Sequence, residues 1–216
     1  GVVAMMGAYQ SNVAFPTTKE PWLPAGDFAP QLGSEEKIDS GDSRMQNVVY
    51  RNGALWCVHS VFLPFAFGPT HSAIQWWQLG TDGGVIQHGL FEDPAGAIYY
   101  SYPSIAVNKD EDVLIGFARF SPQQYAGGNY VFRRKSDPPG TVRADVVLKA
   151  GEAPYAKKKS GKRVRWGDYS ASVVDPLNDT DLWTIQEFAA VPVDGIDRWG
   201  TWWGRVVPAD TGTFVT

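Results

Sequence analysis

A strand-turn-strand grammar that occurs three times constrains this chain more than any other feature. Gln46-Asn47-Val48-Val49-Tyr50-Arg51-Asn52-Gly53-Ala54-Leu55-Trp56-Cys57-Val58 reads as two strands joined at Asn52-Gly53, and Asn-Gly is the strongest short hairpin signal because both residues accept positive φ. Residues 103–117 repeat the layout around Asn108-Lys109-Asp110-Glu111-Asp112, and residues 169–185 repeat it around Pro176-Leu177-Asn178-Asp179-Thr180-Asp181. A third strand rich in aromatic or β-branched residues follows each hairpin, at 72–79, 129–134 and 199–206. After the first two, turns at Asp82-Gly83-Gly84 and Asp137-Pro138-Pro139-Gly140 lead into fourth strands at 85–90 and 144–149.

With 23 Gly and 15 Pro spread along 216 residues, helices of more than a few turns have no room. The spacing therefore predicts an all-β chain, a β-propeller segment of about three four-stranded antiparallel blades, each an antiparallel meander. Its expected divisions are 1–45, strands of a preceding blade plus a Pro/Gly-rich loop; 46–95, a blade; 96–152, a blade; and 153–216, a blade lacking its outer strand. In the first division, 1–11 and 36–39 are expected as the third and fourth strands of that preceding blade. The alternative is a β-sandwich, against which the aligned Trp56, Ile115 and Trp183 weigh. A propeller ring needs at least four blades, so the remaining blades, from another segment or chain, are expected partners. A start without Met and a polar, Gly-containing stretch at 209–216 lead us to expect a fragment or a processed product.

Composition closes several other routes. Hydrophobic residues make up 44% and charged ones 19%, so the chain buries a core. Nineteen Lys+Arg against 23 Asp+Glu give a net charge of −4, which argues against a protein devoted to nucleic acid. No apolar run reaches the roughly 20 residues of a membrane span. The single cysteine, Cys57, cannot form an internal disulfide and reads as a small buried hydrophobe. His59, His71 and His88 share no metal-ligand spacing. No cofactor is expected, although the oxygen-rich turns at Asp110, Asp112, Asn178, Asp179 and Asp181 leave Ca²⁺ as a weaker option beside ordinary turn chemistry.

In a propeller the first strand of each blade lines the central channel, and the segment leading into it lies on the face that usually binds ligands. Those segments carry Arg44 and Gln46, then Tyr100 and Tyr102, then Arg165, Trp166, Asp168 and Tyr169. Guanidinium, phenol, indole and carboxylate together suit a sugar or an anionic small molecule. The competing reading packs Trp166 and Tyr169 between blades and ties Asp168 to backbone amides. The cationic run Lys157, Lys158, Lys159, Lys162, Arg163 is a candidate polyanion site or a solvated loop. The adjacent pairs Trp76-Trp77 and Trp202-Trp203 each send one ring to either side of a sheet, and are expected to pack between blades.

Arg165-Trp166-Gly167-Asp168-Tyr169-Ser170-Ala171, followed by Val174-Asp175-Pro176 and Asp181-Leu182-Trp183-Thr184-Ile185-Gln186-Glu187-Phe188, resembles a pattern in secreted bacterial sialidase-like β-propeller proteins, mostly of unassigned activity. Asn47-Val48-Val49-Tyr50-Arg51-Asn52-Gly53 and Tyr102-Pro103-Ser104-Ile105-Ala106-Val107-Asn108 belong to the same pattern, and the resemblance covers roughly residues 36–207. It implies six or seven blades and an extracellular setting. The sialidase Asp-box is not intact here, Arg51-Asn52-Gly53-Ala54-Leu55-Trp56 being a partial echo. A retaining sialidase uses a Tyr nucleophile with a Glu, an acid/base Asp and three arginines on the substrate carboxylate. Tyr169, Glu187, Asp168, Arg44 and Arg165 have those residue types, with Glu187 expected as a solvated surface carboxylate. Two functions follow as expectations: an extracellular binding or assembly module for carbohydrate or protein, not catalytic alone, or part of a glycoside hydrolase with its active site on the channel face.

Overall fold

The structure is a computed structural model that describes residues 27–64, 68–159 and 163–208. Every regular element among them is a strand. β1 (Asp27–Gln31) and β2 (Ser34–Asp39) form a hairpin. β3 (Val48–Arg51), β4 (Ala54–Leu63), β5 (His71–Gly80) and β6 (Val85–Phe91) make one four-stranded sheet. β7 (Tyr99–Val107), β8 (Val113–Ser121), β9 (Gln124–Arg133) and β10 (Val146–Lys149) make the next. A short ribbon of β11 (Lys158–Lys159) and β12 (Arg163–Val164) precedes a three-stranded sheet of β13 (Ala171–Val174), β14 (Leu182–Val193) and β15 (Ile196–Val206). All pairings are antiparallel and join neighbours in sequence. The chain is an arc of β-propeller blades.

Turn chemistry sets the registers. Asn52 and Gly53 have φ of 52° and 76°, so a two-residue turn brings Arg51 opposite Ala54. The three hairpin turns then gather at one end of the arc. Asn52 Nδ2 donates to the Asn108 carbonyl (3.0 Å), Asn108 Nδ2 donates to the Thr180 carbonyl (2.8 Å), and Arg51 pairs with Asp179.

Because successive strand residues face opposite ways, each sheet offers one apolar side to each neighbour. Trp56, Val58, Ile74 and Trp76 of the first sheet pack on Ile105, Val107, Val113, Ile115, Phe117 and Val131 of the second. The far side of the second sheet, Ala106, Leu114, Tyr130 and Phe132, packs on Leu182 and Val206 of the third. A polar seam interrupts this second interface. A Cβ at Gly116 would overlap Thr184 Oγ1 and Gln186 Nε2, and one at Gly128 would lie 2.6 Å from Gln186 Cβ. These two glycines make room for buried Gln186, which donates to Thr184 Oγ1 at 2.8 Å. The first strands β3, β7 and β13 lie side by side, β7 touching the other two, and form the inner wall.

Two expectations change. Residues 36–39 are a strand, within β2, which pairs with β1; residues 1–11 lie outside the described residues. Trp56 and Ile115 do not occupy equivalent faces: they meet across the first interface, within one core cluster. Trp76 and Trp77 are buried as expected, whereas Trp202 and Trp203 are exposed.

Candidate functional site

The segments that lead into β3, β7 and β13 converge on a pocket of about 180 Å³ at the mouth of the inner strands. Six of the residues singled out above line it: Arg44, Gln46, Tyr102, Arg165, Asp168 and Tyr169. Tyr100 does not, because its ring is buried between blades against Phe91 and Phe117. Trp166 does not either; it is buried edge-on between Phe120 and Tyr155. A second cleft of about 140 Å³ continues along the inner wall past Ser104, Ser170 and Ser172 and shares Gln46 and Pro103 with the first.

Tyr102 shapes the floor. Its φ of 56° is unusual for an aromatic residue and coincides with a register shift between Ser101 and Ser104. Hydrogen bonds hold that conformation: the phenol donates to the Asp39 carbonyl at 2.8 Å, and Ser170 Oγ donates to the Tyr102 carbonyl at 2.7 Å. Gly41 lets the ring approach, since a Cβ there would stand 2.9 Å from Tyr102 Cε1. Burial first, and then the negative charges of Asp39 and Asp168, push the phenol pKa up. It remains a neutral donor.

Beside it, Asp39 is nearly inaccessible and accepts the Gly41 N–H at 3.0 Å. Arg163 stands 2.7 Å and Arg165 3.6 Å from its Oδ2. Burial holds the carboxyl above the ordinary range; the Gly41 hydrogen bond and the two arginines offset this only in part. This pairing corrects one expectation: Arg163 is turned inward onto Asp39 and is not part of an open polyanion patch. Lys157 is exposed, Lys158 and Lys159 form β11, and Lys162 lies outside the described residues.

His59, on β4, also lines the pocket although it is almost wholly buried. Trp77 Nε1–H donates to His59 Nε2 at 3.2 Å, which leaves the ring proton on Nδ1, 3.0 Å from the Ser43 carbonyl. Burial lowers its pKa, so the ring is neutral with both nitrogens committed. Nearby Ser40 is fully buried, and its Oγ has no hydrogen-bond partner among the described residues.

The pocket charges come in matched pairs. Arg44 Nε donates to both Asp42 oxygens at 2.9 and 2.8 Å, and its terminal nitrogen lies 2.6 Å from Oδ2. Burial opposes ionisation of Asp42, but the side-chain and backbone hydrogen bonds from Arg44 outweigh it and lower the pKa. Arg165 donates to Asp168 at 2.5 Å, and Gln46 Nε2 donates to the Asp168 carbonyl at 3.1 Å. Tyr169 is 72% exposed, so it does not pack between blades.

Glu187 departs from the expected solvated carboxylate. It is half-buried on β14 with its carboxyl lying against Gly167, whose N–H it accepts. Burial, reinforced by Asp168 and only partly offset by that N–H, raises its pKa to about 7. It fixes the loop carrying Arg165 and Asp168 from behind. In the opposite turns Asp179 and Asp181 are claimed by Arg51 and Arg205. Among the described residues no group of three or more His, Cys, Asp or Glu is placed to hold a metal ion.

No protein-family model matches the sequence, and no curated protein matches it. Among solved structures the chain is similar to a GH43 endo-arabinanase from Bacillus licheniformis, at 15% identity and a TM-score of 0.37. The match covers 77% of this chain and 52% of that one, so the chain spans about half the length of the structure it matches. A likeness this distant carries no chemistry across.

Asp42, Ser40 and His59 are among the seven pocket residues that sequence reading missed. Asp42 had a signal, standing two residues before Arg44 where an Asx turn forms. Nothing local marks His59, which reaches the pocket through the pairing of β4 with β5. No helix among the described residues is long and apolar enough to cross a membrane.

Proposed function

We propose that this chain is an extracellular β-propeller module that binds a carbohydrate in the pocket at the mouth of its inner strands, and that further blades complete its ring. The observation that carries the binding reading is convergence. Residues as distant in sequence as Arg44 and Tyr169 line one small pocket, with paired charges, a largely exposed phenol ring and, at Ser40, a buried hydroxyl that no described residue hydrogen-bonds. Such a wall offers donors, acceptors and an aromatic face to a ring bearing several hydroxyls. Its volume, well below the ~300 Å³ at which drug-sized sites begin, suits a single sugar unit.

The assembly part rests on internal repetition. Trp76 pairs with Val58, and Trp203 pairs with Ile185, at the same offset from Trp56 and Trp183. Trp56 and Trp76 stack at 6.3 Å, and Trp183 and Trp203 lie 5.4 Å apart. The first pair is wholly buried under the second sheet, while Trp203 is 64% exposed. The open side of the third sheet is built like a side that another sheet covers.

Ligand-observed NMR with a panel of monosaccharides tests the binding reading. Tyr169→Ala is expected to weaken binding about tenfold, as loss of a stacking face does, and no saturation transfer from any sugar would refute it. The alternative, glycoside hydrolysis, draws on the acids raised by burial beside the pocket, Asp39 and Glu187. Turnover of a chromogenic glycoside that is lost in Glu187→Gln would favour it instead.

A further inference from the structure

We propose that the pocket selects uncharged sugars over their acidic counterparts, and that Asp42 and Asp168 set this specificity. The inference rests on the carbohydrate reading and narrows its ligand. Each guanidinium that faces the pocket already holds a carboxylate of the protein. The Nε edge of Arg44 is closed by both oxygens of Asp42, and Arg165 is shared between Asp168 at 2.5 Å and Asp39 at 3.6 Å. Arg163, behind the wall, is held by Asp39 at 2.7 Å. Three guanidiniums, of Arg44, Arg163 and Arg165, are matched by four carboxylates, of Asp39, Asp42, Asp168 and, 3.8 Å from Arg163, Asp27.

A ligand carboxylate can form the two-pronged bond that makes arginine selective for anions only by displacing one of these aspartates. It would then stand beside the displaced group, and like charges brought together at a desolvated site disfavour binding strongly. A hydroxyl meets no such barrier. It can donate to the outward oxygens of Asp42 or Asp168 and accept from guanidinium N–H groups outside the ion pairs, so the pairs stay intact and serve as polarised partners. Neutral Tyr102 and neutral His59 add no charge that would reverse this balance.

The test uses sugars that differ in one group. The affinity of the full chain is measured by titration for glucose against glucuronate and for galactose against galacturonate, in wild type, Asp168→Asn and Asp42→Asn/Asp168→Asn. Expected is a neutral sugar bound at least about tenfold more tightly than its uronate by wild type, a ratio that falls in the single variant and approaches or passes unity in the double one. Asp168 is half-exposed, so the single variant keeps the test informative if the double one does not fold. Equal or tighter binding of the uronate by wild type overturns the specificity and leaves the carbohydrate reading standing. An unchanged ratio in Asp168→Asn removes Asp168 as its source, and one in the folded double variant removes both aspartates. Absence of binding by every sugar overturns both.

Discussion

Tyr102 and Glu187 show how single residues hold the pocket. Tyr102 adopts a backbone conformation disfavoured for an aromatic residue, and it does so because Asp39 and Ser170 bond its two ends. Glu187 acts through its protonation state. Its folded pKa of about 7 exceeds the ordinary 4.5, so the folded state keeps a proton that the unfolded chain has released between those values. The stability this contributes is complete below pH 4.5, falls as pH rises towards 7, and is flat beyond. Glu187→Gln removes that decline. Denaturant midpoints at pH 5 and pH 8 should therefore differ less in the variant than in wild type, with the variant gaining at pH 8. Identical differences in the two proteins would place the carboxyl in water.

At the scale of elements, the hairpins are locally encoded and the interfaces are not. Asn52-Gly53 and the Asn108 and Asp175 turns carry their own φ and side-chain hydrogen bonds, which is why the strand starts and stops were legible. Face assignment was harder. Turns of two and five residues shift the side-chain alternation, so Trp56 and Ile115, at matching places in the repeat, point towards each other. The glycines at 116 and 128 are where Gln186 inserts. Gly116→Ala should cost about 1–3 kcal/mol by overpacking, seen as a lower melting temperature. A variant as stable as wild type would contradict the insertion of Gln186 against β8.

Across the whole molecule, the contrast between two tryptophans follows from what covers them. Trp76 lies wholly inside the first interface, and Trp76→Ala should cost about 3–5 kcal/mol. Trp203 occupies the corresponding place on the open sheet, and Trp203→Ala should change the stability of this chain by less than about 1 kcal/mol. Chemical denaturation of both variants checks the pair, and equal losses would mean that the third sheet is covered. By itself the amino-acid sequence determined the meanders, their order and six of the thirteen residues of the pocket wall. Alternation and turn propensity act over neighbouring residues, and the first strand of each blade must face the axis. Only the tertiary structure decided that Tyr100 and Trp166 are core, that Arg163 closes on Asp39, and that His59 and Ser40 reach the pocket. Those outcomes depend on which faces meet across a sheet interface, a distance in space that no local pattern of side chains encodes.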